Sequence, residues 1–395
     1  MKNQILFILT AALMISEICS AQSQDKVIED FKPTAANQPG KEYPQVNSEG
    51  RVRVQITAPD AKYVQLDIGA VKYDLTKDEN GVWTGESAPQ DEGFHYYQLN
   101  IDGASVPDPS SLYFYGASRW GSGIEVPAKD QDFYALKDVP HGQVREHIYF
   151  SEINNSMRRC FVYTPPGYDQ DLETRYPVVY LQHGGGEDET GWSNQGRVNL
   201  IMDNLIAEGK AKPFIIVMDN GTWRMPERAR TAPADTTKKE ERPRTWPPKD
   251  WANVFMNTMV YEIIPMIDAN YRTIADPAYR AMAGLSMGGM QTRIITLAHP
   301  HVFSYAGMFS GGSISLEDIE NAPGFKENIK LVFISYGSRE LENPRRGPWG
   351  DPKENTEAIK GAGMNTHFYV SPETAHEWQS WRRGFYQFAP LLFKD

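Results

Sequence analysis

The hydrophobic period of this chain changes once, between residues 126 and 146, and that change commits it to two domains of different class. Up to about residue 126 the apolar positions alternate: Val52, Val54 and Ile56, then Val64, Leu66 and Ile68, then Tyr97, Leu99 and Ile101. Turn pairs Pro59-Asp60, Asn80-Gly81 and Asp102-Gly103 punctuate them, the pattern of antiparallel hairpins in a small β-sandwich. Beyond residue 146 the apolar runs are continuous, at Pro177 to Leu181, Phe214 to Met218, Ala281 to Ala283 and Leu331 to Ile334. Strands of that kind are covered on both faces, hence a parallel sheet. Helical patterns lie between them (Val198, Ile201, Met202, Leu205; Phe255, Met259, Ile263, Ile267), which predicts a doubly wound α/β domain.

The expected division is therefore a leader over 1–21, a linker over 22–42, a β-sandwich over 43–126, a connector over 127–145 and an α/β domain over 146–395. Residues 221–250, rich in Arg, Lys, Glu and Pro, build no core element and are expected to form a long insertion. The 395 residues suit two domains, and a formal charge of −11 argues against nucleic acid and anionic membranes as partners.

Residues 1–21 carry Lys2, an apolar run from Ile5 to Ile15 and a small-residue end at Ser20-Ala21. That is the layout of a secretory signal peptide, and the run is too short to span a hydrocarbon core of about 30 Å. An exported protein with no membrane insertion after cleavage is expected. Lipid attachment at Cys19 is the alternative, disfavoured by Glu17-Ile18 before it. Cleavage leaves Cys160 alone, in an apolar strand pattern that suits a small core residue.

Gly284-Leu285-Ser286-Met287-Gly288 fits G-x-S-x-G, preceded by a strand and followed by a helix pattern. A nucleophile elbow needs that context, because it presents the serine on a tight strained turn. Serine requires a base, and of eight histidines His376 follows the short strand Phe368-Tyr369-Val370, where a base is expected. The acid that orients it is expected beyond the strand Leu331 to Tyr336, where Glu340 leads, with Glu342 and Asp351 as rivals. His183-Gly184-Gly185-Gly186 has the composition of a loop that turns backbone N–H groups toward an oxyanion. Gly185 is the chosen donor, paired with the N–H of Met287. His376-Glu377 does not continue into H-e-x-x-H, since residue 380 is Ser, so neither metal nor cofactor is expected.

Tyr180 to Gly186 with Gly191-Trp192, then Gly284 to Gly289, then Gly337-Ser338-Arg339-Glu340, then His376-Glu377-Trp378 with Trp381-Arg382, resemble the esterase D group and, within it, carbohydrate esterase family 1. The resemblance implies an α/β-hydrolase domain. Gly50 to Val54, Ala58 to Ala61, Asp78 to Trp83, Gly93 to Tyr97 and Asp102-Gly103 with Asp108-Pro109 resemble carbohydrate-binding module family 48, an immunoglobulin-like sandwich. Together they resemble secreted bacterial feruloyl esterases. The implied reaction is hydrolysis of ferulate or related hydroxycinnamate esters on arabinoxylan through an acyl-serine. Many relatives carry Asp where this chain has Glu340. Trp192, Trp349 and Trp378 stand in motif loops as candidates to grip the phenolic acid or a sugar, and Trp83, Tyr96, Tyr97 and Trp120 are candidates for sugar stacking or for packing. Acetyl xylan esterase, an esterase of a cyclic siderophore, and a non-catalytic glycan-binding protein are the competing readings.

Overall fold

A computed structural model describes residues 27–222, 250–342 and 350–394. The expected leader, most of the expected insertion and Trp349 lie outside them.

The first domain has eleven strands: β1 (Lys32–Pro33), β2 (Gln45–Val46), β3 (Arg51–Thr57), β4 (Val64–Ile68), β5 (Val71–Asp74), β6 (Thr76–Lys77), β7 (Val82–Pro89), β8 (Gly93–Ile101), β9 (Ala104–Val106), β10 (Tyr113–Gly116) and β11 (Arg119–Val126). They form two sheets, ordered β1-β2-β3-β7-β6 and β10-β11-β8-β4-β5, with β9 beside β8. Side chains alternate across a strand, so Val52, Val54, Val64, Leu66 and Leu99 turn into a shared core while Arg53 turns out to meet Glu86.

Two expected boundaries differ. The segment taken as a linker joins the sandwich: Lys32–Pro33 pairs antiparallel with Gln45–Val46, and Ala36 is buried. A two-residue pairing is too short to leave a period in the sequence. The segment taken as a connector carries a 3-10 turn, Gln131–Tyr134, that sends Phe133 and Tyr134 into the core of the second domain. The Asn204 side-chain amide donates to the carbonyls of Phe133 and Ala135, holding that turn in place.

The second domain is one eight-stranded sheet of β12 (Gln143–Ser151), β13 (Ser156–Thr164), β14 (Val178–Gln182), β15 (Ile215–Asp219), β16 (Arg280–Leu285), β17 (Tyr305–Phe309), β18 (Leu331–Gly337) and β19 (Thr366–Ser371). Its order is β12-β13-β15-β14-β16-β17-β18-β19. The β12–β13 hairpin is antiparallel to the rest, and β15 through β19 run parallel. The principal helices are α1 (Val198–Ala207), α2 (residues 253–270, with a π-helical turn over Met259–Ile263), α3 (Met287–Ala298), α4 (Ser338–Glu342), α5 (Pro352–Gly361) and α6 (Trp378–Phe388). Val179, Leu181, Ala281 and Ala283 pack with α1 and α6 on one face. Val178, Tyr180, Val217 and Met282 pack with α2 on the other. This double coverage explains the continuous apolar runs. Cys160 on β13 is wholly buried, and burial pushes its thiol well up, so it is a core group.

Candidate active site

Four loops at the carboxyl ends of β14, β16, β18 and β19 converge, the edge at which open α/β sheets place their ligands. Ser286 occupies the turn from β16 into α3 with φ +49° and ψ −113°, a conformation that non-glycine residues avoid. The glycines around it are there for approach. A Cβ on Gly284 would lie 2.5 Å from the carbonyl carbon of Gly288, and one on Gly288 would lie 2.7 Å from the Gln182 and His183 carbonyl oxygens. The Ser286 N–H donates to Phe309 O at 2.8 Å, which pins the turn to β17.

His376 reaches it from the loop after β19, with Nε2 2.9 Å from Ser286 Oγ. Its Nδ1 lies 2.8 Å from Glu340 Oε1. The other Glu340 oxygen accepts from Ser310 Oγ at 2.7 Å and from the Gly337 N–H at 2.8 Å. Burial raises the Glu340 carboxyl, but the hydrogen bond and charge of His376, then the Gly337 and Ser310 donors, outweigh it and hold the group below its ordinary value. It is therefore an anion at neutral pH, aimed at one face of the imidazole. Trp381 fixes the ring edge-on at 5.1 Å and donates to Ser310 Oγ at 3.0 Å. The rivals are placed elsewhere: Asp351 caps α5 through the N–H groups of Lys353 and Glu354, and Glu342 is exposed at the end of α4.

The glycine loop lies beside the serine. Gly184 is buried and its N–H donates to Glu187 Oε2 at 3.2 Å, whereas Gly185 is exposed. Among the described residues no acceptor takes the Gly185 N–H. Met287 opens α3, so its N–H lacks an intrahelical acceptor. His183 is buried and pushed down by burial, hence neutral; its Nε2 accepts from the Gly221 N–H at 3.1 Å, and its Nδ1 donates to Gly184 O at 2.8 Å.

Two of the tryptophans expected to hold substrate do not face the site. Trp192 is 1 % exposed, and its indole N–H donates to Gln182 O at 2.8 Å. Trp378 is 2 % exposed, packs edge-on against Trp192 at 5.5 Å and donates to Tyr96 Oη at 3.3 Å. Their rings are the floor under the loops. In the sandwich, Trp83 and Tyr97 are core, Tyr96 faces the second domain, and Trp120 is the exposed one of the four. Ser310 and Glu187 escaped sequence reasoning, since neither sits in a motif; Tyr96, a candidate for stacking or packing, packs against the second domain.

Residues 151–390 match the family model Esterase, described as "Putative esterase". The chain belongs to this family. An esterase-family relative, the endo-1,4-beta-xylanase/feruloyl esterase of Xylanibacter ruminicola, is 44% identical over 389 residues, which is 96% of this chain and 50% of the relative. The chain thus spans about half the length of that protein. Endo-1,4-beta-xylanase Y of Acetivibrio thermocellus is 24% identical over 61% of this chain and 22% of its own. Among solved structures, a CE1 ferulic acid esterase from Anaeromyces mucronatus superposes with TM-score 0.52 at 20% identity, covering 67% of this chain and 96% of its own. The enterobactin esterase of Shigella flexneri superposes with TM-score 0.57 at 16% identity, over 87% and 93%. At such identities the likeness is one of fold, and the fold of the esterase is that of an α/β-hydrolase behind a β-rich front domain.

Proposed function

We propose that the protein is an exported serine esterase that cleaves ferulate or related hydroxycinnamate esters on plant xylan. The observation that carries the catalytic part is the continuous chain Ser286 Oγ, His376 Nε2, His376 Nδ1, Glu340 Oε1, with links of 2.9 and 2.8 Å. The 44% identity to a xylanase/feruloyl esterase supports the substrate class, and the charge-then-apolar pattern of residues 1–21 supports export.

In this reading His376 Nε2 takes the Ser286 proton as Oγ attacks the ester carbonyl, and Glu340 stabilises the imidazolium. The carbonyl oxygen gains the electron pair and is received by the Gly185 and Met287 N–H groups. The tetrahedral species collapses, the C–O bond to the sugar breaks, and His376 gives its proton to the departing alcohol. Water then enters, His376 deprotonates it, and the feruloyl-serine is hydrolysed to free acid and Ser286. No metal or cofactor enters these steps. Trp120, 52 % exposed, supports sugar contact by the sandwich.

The test is a substrate panel of methyl ferulate, acetylated xylan and a catecholate siderophore, run with the native protein and Ser286→Ala. Turnover of methyl ferulate that Ser286→Ala abolishes is expected. Preference for acetylated xylan or the siderophore would reassign the substrate, and turnover by Ser286→Ala would remove the serine from the mechanism.

A further inference from the structure

We propose that the front sandwich is a working part of the hydrolytic site, with Tyr96 as a positioning residue that acts through Glu187 to hold the oxyanion loop 184–186 against Ser286. The inference rests on the serine-esterase reading above.

Tyr96 lies on β8, and its hydroxyl donates to Glu187 Oε1 at 3.2 Å. Glu187 Oε2 accepts the Gly184 N–H at 3.2 Å, so one carboxyl links the sandwich to the first glycine of the loop. That glycine abuts the nucleophile: a Cβ on it would lie 3.5 Å from Ser286 Cβ and 2.5 Å from Leu285 Cδ1. The Tyr96 hydroxyl also accepts from Gln195 Nε2 at 2.7 Å and from Trp378 Nε1 at 3.3 Å. Trp378 stands two residues beyond His376, so a single hydroxyl touches both Glu187, which follows the oxyanion loop and holds its first glycine, and the start of the helix that follows the base.

A second tie grips the other end. Between β10 and β11, the Ser118 N–H donates to Gly186 O at 2.8 Å. Gly186 has φ +81°, and a Cβ there would lie 3.4 Å from Ala117 Cα. The sandwich therefore holds the residues on either side of Gly185, whose own N–H is left unclaimed. Three successive glycines have more backbone freedom to lose than any other triplet. A donor on such a loop stabilises an oxyanion only if it is already in place when the charge develops, and the clamps supply that order. Glu187 is buried, so bulk water does not compete for its two hydrogen bonds, and the same burial pushes its carboxyl up to about 7.

Tyr96→Phe keeps the ring, its edge contact with Phe94 at 5.0 Å and its packing on Gly116, and removes only the hydroxyl. Steady-state kinetics on methyl ferulate would be measured for the native protein, Tyr96→Phe, Glu187→Leu and Ser286→Ala, with circular dichroism as the check of folding. Loss of one oxyanion donor costs about 10²–10³ in kcat, so loosening one is expected to cost about tenfold. The supporting result is a fall in kcat of fivefold or more with KM within threefold, because the loop acts on the transition state. A smaller fall, or a loss carried in KM, overturns the proposal. If Tyr96→Phe does not fold, Glu187→Leu decides by the same thresholds. An inert Ser286→Ala beside a normal Tyr96→Phe refutes this inference alone, whereas an active Ser286→Ala refutes the serine mechanism and this proposal with it.

Discussion

Glu125→Gln asks most directly whether the two domains stand or fall together. Arg382 on α6 is wholly buried, and its guanidinium meets the Glu125 oxygens of β11 at 2.6 and 3.0 Å. Arg197 reaches the same carboxylate at 3.5 Å. Burial raises the Glu125 carboxyl, but Arg382 and then Arg197 outweigh it and hold the group below its ordinary value, so the bound form is the anion. Glutamine takes away one negative charge from between two cations. Arg382 keeps the Gln195 carbonyl, 2.9 Å from Nε, and the Tyr134 ring at 4.4 Å. Unit charges about 4 Å apart at an effective dielectric of about 20 interact by about 4 kcal/mol. Stranding one member of a buried pair costs about 3–5 kcal/mol, which for a chain of this size lowers the melting midpoint by about 4–6 °C. Urea unfolding followed by tryptophan fluorescence would measure it in Glu125→Gln, Arg382→Met and the double variant. The double variant is expected to recover most of the loss, since replacing both members of a buried pair is close to neutral. A cost under about 1 kcal/mol, or a double variant as unstable as the two single losses combined, would refute the view that this pair couples the domains.

Glu340→Gln is expected to lower kcat on methyl ferulate by more than about a hundredfold with little change in KM, because an amide cannot stabilise the imidazolium; a near-native rate would take the orienting role from Glu340. Gly288→Ala would press a methyl to 2.7 Å from two backbone carbonyls that cannot withdraw, so a loss of about 1–3 kcal/mol in thermal unfolding is expected, with activity falling alongside. Glu187 gives a pH signature. Burial raises its carboxyl from 4.5 to about 7, so between those values the folded chain binds a proton that the unfolded chain has lost. Its contribution to stability is complete below about 4.5, is lost as pH rises to about 7 and changes no further above that. Glu187→Gln should therefore gain on the native protein across that window, by about 3 kcal/mol, in urea unfolding at pH 4.5, 6 and 8; a constant difference would contradict the raised value.

Ser286, His376 and Glu340 were legible because local chemistry announces them. A strand feeding a glycine-flanked turn leaves few places for a nucleophile, and chain order then puts the base after β19 and the acid after β18. The choice of Glu340 over Glu342 and Asp351 needed coordinates, since only they separate a carboxylate on the imidazole from one capping α5. Trp192 and Trp378 misled because a motif fixes where a residue lies along the chain and not which way its ring points. The front boundary was missed because the β1–β2 pairing is two residues long. The interface was illegible for a deeper reason: Glu125 and Gln195 are polar residues outside motifs, which read as solvent-facing until a partner from another domain covers them, and the motif segments that hold Tyr96 and Arg382 do not say what those side chains touch.

That contrast bears on how the site is built. The three groups of the catalytic chain are held within the hydrolase domain, on the ends of strands whose spacing the sheet dictates, and each is backed by that domain's own partners: Phe309 O accepts from the Ser286 N–H, Gly337 and Ser310 donate to Glu340, and the Trp381 ring packs edge-on against His376. The oxyanion loop has less such backing: Glu187 takes the Gly184 N–H, and among the described residues no hydrogen bond from the hydrolase domain holds Gly185 or Gly186. Of its three glycines only Gly184 closely approaches the nucleophile, a Cβ on it lying 3.5 Å from Ser286 Cβ, and all three lack the side chains that would anchor the loop. Order must come from outside, and the groups in position to give it are Tyr96 and the Ser118 N–H of the sandwich. Changes in the sandwich would then alter the rate of the chemical step while Ser286, His376 and Glu340 stay in register, which is not how a tethered binding module acts. Such a module, joined only by a flexible segment, changes the local concentration of substrate and leaves hydrolysis of a small soluble ester unaltered. Small-ester turnover is therefore the measurement in which a tethered module and a clamping domain give opposite results.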